Sequence, residues 1–244
     1  MEKDTVKTKK IKAVKNYLIP MTVLEGVFSV LFIVVSVVLF NKGIMGYAFL
    51  SVMVSFTIAF AAFLTGRRAK DLNDILYHPE DRLSVWYLSK KAAVASSALE
   101  LKKMSNDDIF TSLILFFFMV LFGGVFGFVS ESVAMFITMF ACGAAIVVVC
   151  VAVHSVRRSR IASSRGICIF GEYGVYANGI YHSFCDVGIS RVSSKYNEKN
   201  RLLIISYKDK LLTSGKRMYI PIFVPEGFEE EAMKINKFYS TYDE

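Results

Sequence analysis

The chain has 244 residues, 54% of them hydrophobic, with 29 Lys and Arg against 21 Asp and Glu and a formal charge of +8. A soluble domain holds roughly 45–50% apolar residues, so an ordinary water-soluble globule is excluded. Nucleic-acid binding is disfavoured too, because the segment from residue 155 has fourteen basic against ten acidic residues, and the rest of the excess sits where membrane topology needs it.

The N-terminal arm, residues 1–20, holds six lysines. Lys9 and Lys10 are candidate contacts for anionic lipid headgroups, at about 1 kcal/mol per basic residue. The same lysines serve as a plain topology signal. The run Met21–Phe40, "MTVLEGVFSVLFIVVSVVLF", then predicts a first membrane span. Its apolar part is too long for the core of a cleavable signal peptide, and no small-residue cleavage pattern closes it. Glu25 is its one charge, about 6 Å inside the boundary at 1.5 Å per residue. That depth suits an interfacial or structural role, with a proton or ion site as the sharper alternative.

After the short turn at Asn41-Lys42, Gly43–Thr65 predicts a second span, with Ser51, Ser55 and Ala59 at helix-packing spacing. Residues 66–108 are too long for a turn. Pro79 breaks the helical pattern, and Leu83, Tyr87, Lys90, Val94, Ser97, Leu101 and Met104 recur at 4-3-4-3 spacing. The spacing predicts a cytoplasmic helical hairpin, with Trp86 and Tyr87 as an interfacial anchor in the alternative.

Ile109–Val129 and Ser132–His154 predict spans three and four, with Gly123 and Gly127, then Ala141 and Ala145, as close-packing positions. These small residues suit either a compact bundle or a homo-oligomer seam. The expected fold is therefore an α-helical membrane protein of four spans in two hairpins, residues 21–155. Lys and Arg number six before the first span, one and none in the two short turns, eight in the 66–108 loop and fourteen after residue 155. Basic residues mark the cytoplasmic side, which places both termini and the loop on the cytoplasmic face of the membrane. Four cysteines, Cys142, Cys150, Cys168 and Cys185, show no CxxC pattern and read as free thiols.

Arg157, Arg158, Arg160 and Arg165 mark the exit from the bilayer and are further headgroup candidates. The tail, 161–244, has a different texture. "GVYANGIYHSF" places Asn178-Gly179 between apolar runs, the signature of a tight β-hairpin. "RLLIISY" reads as a buried strand, and "MYIPIFV" as a strand that Pro221 confines to an edge or a bulge. "EEEAMKINKFY" reads as a closing amphipathic helix with Phe228, Ala232, Ile235 and Phe238 or Tyr239 on its apolar face.

This order, "YGVYANGIYHSF…ISRVSSKYNEKNRLLIISY…KRMYIPI…EEEAMKINKFY", resembles the bacterial PH-like modules of the YcxB-like kind that follow transmembrane helices. The resemblance covers the tail alone and implies a small cytoplasmic α+β domain of antiparallel strands closed by a helix. It implies little about role, since sites define function and folds do not.

Chemistry-bearing patterns are sparse. His78, His154 and His182 fall in unrelated segments, no G-x-S-x-G elbow or phosphate-binding glycine loop occurs, and Glu80-Asp81 and Asp107-Asp108 read as helix starts. No catalytic residue, metal or cofactor is expected. The expected role is a non-enzymatic scaffold or regulatory module whose tail binds a protein, a peptide or lipid headgroups. A small transporter or channel component, with Glu25 near the path, is the alternative.

Overall fold

The computed structural model describes residues 14–103, 107–129, 133–186, 188–209 and 216–241. The chain separates into two compact units. The first comprises residues through Val85, Ile169–Tyr176 and Tyr181–Asp186; the second comprises Trp86–Cys168, Ala177–Ile180 and the remainder of the tail.

The first unit begins with two long helices, α1 (Leu18–Asn41) and α2 (Met45–Tyr77). Both are long and apolar enough to cross a membrane. Burial along α1 is inverted relative to a helix folded in water. Ser29 and Ser36 are buried, whereas Val23, Leu24, Val27, Phe28, Val30, Leu31 and Val34 are exposed. The serines knit the two helices together. The Ser29 hydroxyl donates to the Ser55 carbonyl at 3.1 Å and the Ser55 hydroxyl donates to the Ser29 carbonyl at 2.8 Å. Ser36 donates to the Ala48 carbonyl at 3.1 Å, and Ser51 to the Phe32 carbonyl at 2.7 Å.

Ser51 and Ser55 therefore lie on the packing seam, as their spacing suggests. Ala59 does not; it is exposed. A straight i, i+4 row drifts around an α-helix, and the buried positions Ala48, Ser51, Ser55 and Ala69 instead follow 3-4 steps and their multiples. Replacing Ser29 and Ser55 together by Ala should destabilise the hairpin by about 1 kcal/mol per lost interhelical bond. Unfolding of the reconstituted protein by a denaturing detergent checks this, and an unchanged midpoint would contradict the assigned seam.

The end of α2 is set by Pro79 and by a cap from downstream. Arg82 donates from Nε to the Ile75 carbonyl and from Nη2 to the Leu76 carbonyl, each at 2.6 Å. These are carbonyls that the helix itself leaves unpaired. A single 3-10 turn at Pro79–Asp81 leads into β1 (Arg82–Tyr87).

Here the structure departs from the helical hairpin expected over 66–108. After α2 the chain forms a strand and then α3 (Lys90–Lys103). "RLSVWY" is rich in branched and aromatic residues, which suit a pleated surface, and this outweighs the 4-3 spacing. The expected stripe is not a seam: Leu83 and Val94 are exposed, and Ser97 is its one buried member on α3 among the described residues, alongside Ala93, Ser96 and Glu100. Trp86 is no interfacial anchor either. It is fully buried, in edge-to-face contact with Phe228, and its indole N–H donates to Glu231 at 3.3 Å.

β1 joins β2 (Ile167–Gly171), β3 (Gly174–Ala177) and β4 (Ile180–Ser183) in a sheet of order β1-β2-β3-β4. The first sheet of the tail 161–244 thus takes its edge strand from residues 82–87. β2 and β3 pair antiparallel, with Ile169 opposite Tyr176 and Phe170 opposite Val175. The Asn178-Gly179 hairpin is present, with both residues at positive φ, 49° and 81°.

The second unit contains α3, α4 (Asp107–Val129) and α5 (Val133–Ala162), then a sheet of order β5-β6-β7 and the closing helix α6 (Glu229–Ser240). The expected spans three and four fall on α4 and α5. β5 (Ile189–Asn197), β6 (Leu202–Asp209) and β7 (Lys216–Phe223) are antiparallel, with a bulge between Ser190 and Ser193. Pro221 lies on β7, an edge strand, as the missing N–H requires. α3 packs on β7 and α6 on β5. The buried residues of α6 are Ala232, Ile235 and Tyr239, the face read from its spacing.

Candidate interaction site

Two features of the second unit concentrate charge. The first is a buried polar cluster built around the hairpin tip. Asn178 is 1% exposed, and its side-chain amide donates to Glu100 of α3 at 2.8 Å and to the Pro221 carbonyl of β7 at 3.3 Å. One side chain thus ties turn, helix and edge strand. Asn tolerates the left-handed backbone the turn demands while offering two donors. Its neighbour Gly179 has no alternative: a Cβ there would sit 2.6 Å from the Arg160 carbonyl oxygen of α5.

Glu100 is 5% exposed. Burial pushes its carboxyl up to about 7, against the opposing pull of the Asn178 hydrogen bond and the Arg157 guanidinium. Burial also pushes the Cys168 thiol up to about 12, with the nearby Glu100 carboxylate adding to the rise. A thiol so held is not a nucleophile at neutral pH.

The second feature is a basic strip on β6 and β7. Lys208 and Arg217 are direct partners in the antiparallel register, as are Ser206 and Tyr219. Opposed residues, and alternate residues along one strand, share a sheet face. Lys208, Arg217, Ser206 and Tyr219 therefore lie on one face. The Lys103 ammonium, at the end of α3, sits over the Tyr219 ring at 4.5 Å from its centroid. Lys102 beside it is exposed, as is Arg191 in the bulge next to Ser190, the residue paired with Lys208.

The headgroup candidates read from the sequence are placed variously. Arg157 is half-buried beside the polar cluster, and its Nε atom has no hydrogen-bond partner among the described residues. Arg158 and Arg165 are exposed and Arg160 is half-buried. Lys9 and Lys10 lie outside the described residues, as do the side chains at 127, 141 and 145, so Gly127, Ala141 and Ala145 are not assigned a contact; Gly123 is buried. Glu25 accepts a hydrogen bond from Thr65 of α2 at 3.4 Å. It therefore belongs to the α1–α2 hairpin. Sequence reasoning passed over Glu100 and the Lys208–Arg217 pair. Only Asn178-Gly179 was a signal for the first, and the second depends on strand register.

The first unit holds a cavity of about 160 Å³ lined by Asp71, Asp74, Ile75, Asp81, Glu172, Tyr173 and Tyr181. Among the described residues no group of three or more His, Cys, Asp or Glu is arranged to hold a metal ion. Comparison with family models, with curated proteins and with solved structures returns no match.

Proposed function

We propose that the chain is a multi-pass protein of a bacterial plasma membrane. In this reading four helices cross the bilayer, both termini are cytoplasmic, and a PH-like (YcxB-like) sheet module acts as a non-enzymatic scaffold engaging lipid headgroups or a protein partner. The observation that carries this reading is the inverted burial of α1, with serines inside and valine, leucine and phenylalanine outside. In water that arrangement leaves large apolar area exposed at about 25 cal/mol per Å². In lipid it costs nothing, and interhelical hydrogen bonds then hold the helices together. Support for the further spans comes from the charge-free runs on α4 and α5, and from the arginines that close α5. The buried Asn178 junction is a structural device and leaves the exposed surface of the module for recognition.

Alkaline phosphatase fused after residue 42 or residue 131 should be active, because both turns then face the cell exterior. The same enzyme fused after Glu244 should be inactive. Activity after Glu244 with none after residue 131 would overturn the topology.

A further inference from the structure

We propose that the basic strip formed by Lys102, Lys103, Lys208 and Arg217 docks against the anionic headgroups of the cytoplasmic leaflet. The inference rests on the four-span reading above and supplies it with a binding surface. Three observations meet here.

First, Lys208 and Arg217 face each other across antiparallel strands. Like charges at directly opposed positions repel at about 5 Å between Cβ atoms, and no ion pair relieves either of them among the described residues. Such a pair is stable where an anion lies against it. Second, Lys103 brings a third cation to the same face through Tyr219. The aromatic ring fixes the ammonium without neutralising it, so the charge stays available. Third, the strip has a fixed place along the chain. Lys103 ends α3, α4 begins at Asp107, and the uncharged apolar run starts at Ile109. If α4 enters the bilayer there, Lys102 and Lys103 lie only seven and six residues from the start of the apolar run. The Lys103–Tyr219 contact then holds the Lys208–Arg217 end of the sheet at the same level.

The occupant is a lipid surface, because charges spread over two strands and a helix end suit many dispersed phosphates. Deep enclosure of a single ligand is not offered by exposed Lys102, Lys103 and Arg217. The inner leaflet is anionic, and each basic residue held at it strengthens association about fivefold.

The full-length protein is reconstituted into nanodiscs of zwitterionic lipid alone, or with about a third anionic phosphatidylglycerol. Lysine acetylation by a water-soluble reagent is then read residue by residue by mass spectrometry. Lys102, Lys103 and Lys208 should be modified about fivefold more slowly in the anionic discs, with Lys199 and Lys234 unchanged, and high salt should erase the difference. Arg217→Glu should restore the reactivity of Lys208. Equal rates in the two discs would overturn the proposal and leave the strip to an acidic protein. A parallel arm labels Ser130→Cys in whole cells with a membrane-impermeant maleimide. Labelling there with equal lysine rates removes the docking surface alone, whereas failure to label removes the four-span reading and the proposal with it.

Discussion

Asn178→Ala should destabilise the second unit by about 3 kcal/mol. About 1 kcal/mol comes from placing an ordinary L-residue at positive φ, and the rest from losing the buried hydrogen bond to Glu100. The two contributions separate by substitution. Asn178→Gly keeps the turn and loses only the hydrogen bonds, so it should recover about 1 kcal/mol of the loss. Asn178→Asp keeps the shape but sets a second carboxyl against Glu100, and its stability should fall steeply as pH rises. The chain has a single tryptophan, Trp86, fully buried in the same unit, so its fluorescence reports unfolding without a label. If all three variants melt with the parent, the junction does not hold the turn.

Glu100→Gln should make the protein more stable above neutral pH and leave it nearly unchanged in acid. The folded carboxyl titrates at about 7, above its ordinary value of 4.5. Between those values the folded protein keeps a proton that the unfolded chain has released, so stability falls as pH rises through the window. Below 4.5 both states are protonated and the penalty vanishes; above 7 it is complete. The full difference is at most about 3 kcal/mol, from 1.36 kcal/mol per pKa unit. Gln retains an oxygen to accept from Asn178 and has no charge to bury. Among the groups that face Glu100 are Asn178 of the hairpin, Arg157 of α5 and Cys168 of β2, and Arg157 moderates the effect by favouring the ionised form. Unfolding midpoints of parent and variant across the acid-to-alkaline range should converge in acid and diverge above neutrality. Parallel curves would contradict the burial cost assigned to Glu100.

Much of this architecture was legible in the sequence where one local rule dominated. The lengths of the apolar runs anticipated α1 and α2, Asn178-Gly179 the hairpin, Pro221 an edge strand, and the spacing of Ala232, Ile235 and Tyr239 the buried face of α6. Reading failed where a non-local pairing decided the outcome. "RLSVWY" is a strand because a sheet takes it as β1 beside β2, about 80 residues downstream; its own spacing fitted a helix equally well. Ala59 shares the i, i+4 spacing of Ser51 and Ser55, but helix crossing turns the seam away from it. The exit arginines were visible as charge, whereas the facing of Lys208 and Arg217 exists only through the register of β6 on β7. Glu100 carried no mark in a polar helix, since its burial follows from what α3 covers.

In the proposed reading α1 and α2 turn their apolar sides to lipid and their serines to each other. Spin labels introduced singly at Val27, Val30 and Val34 in reconstituted protein test it most directly. Relaxation by lipid-soluble oxygen with shelter from a water-soluble nickel complex is the predicted result, together with shelter from both at Ser29. Labels at Val30 and Val34 that respond to nickel as freely as exposed loop positions would contradict it.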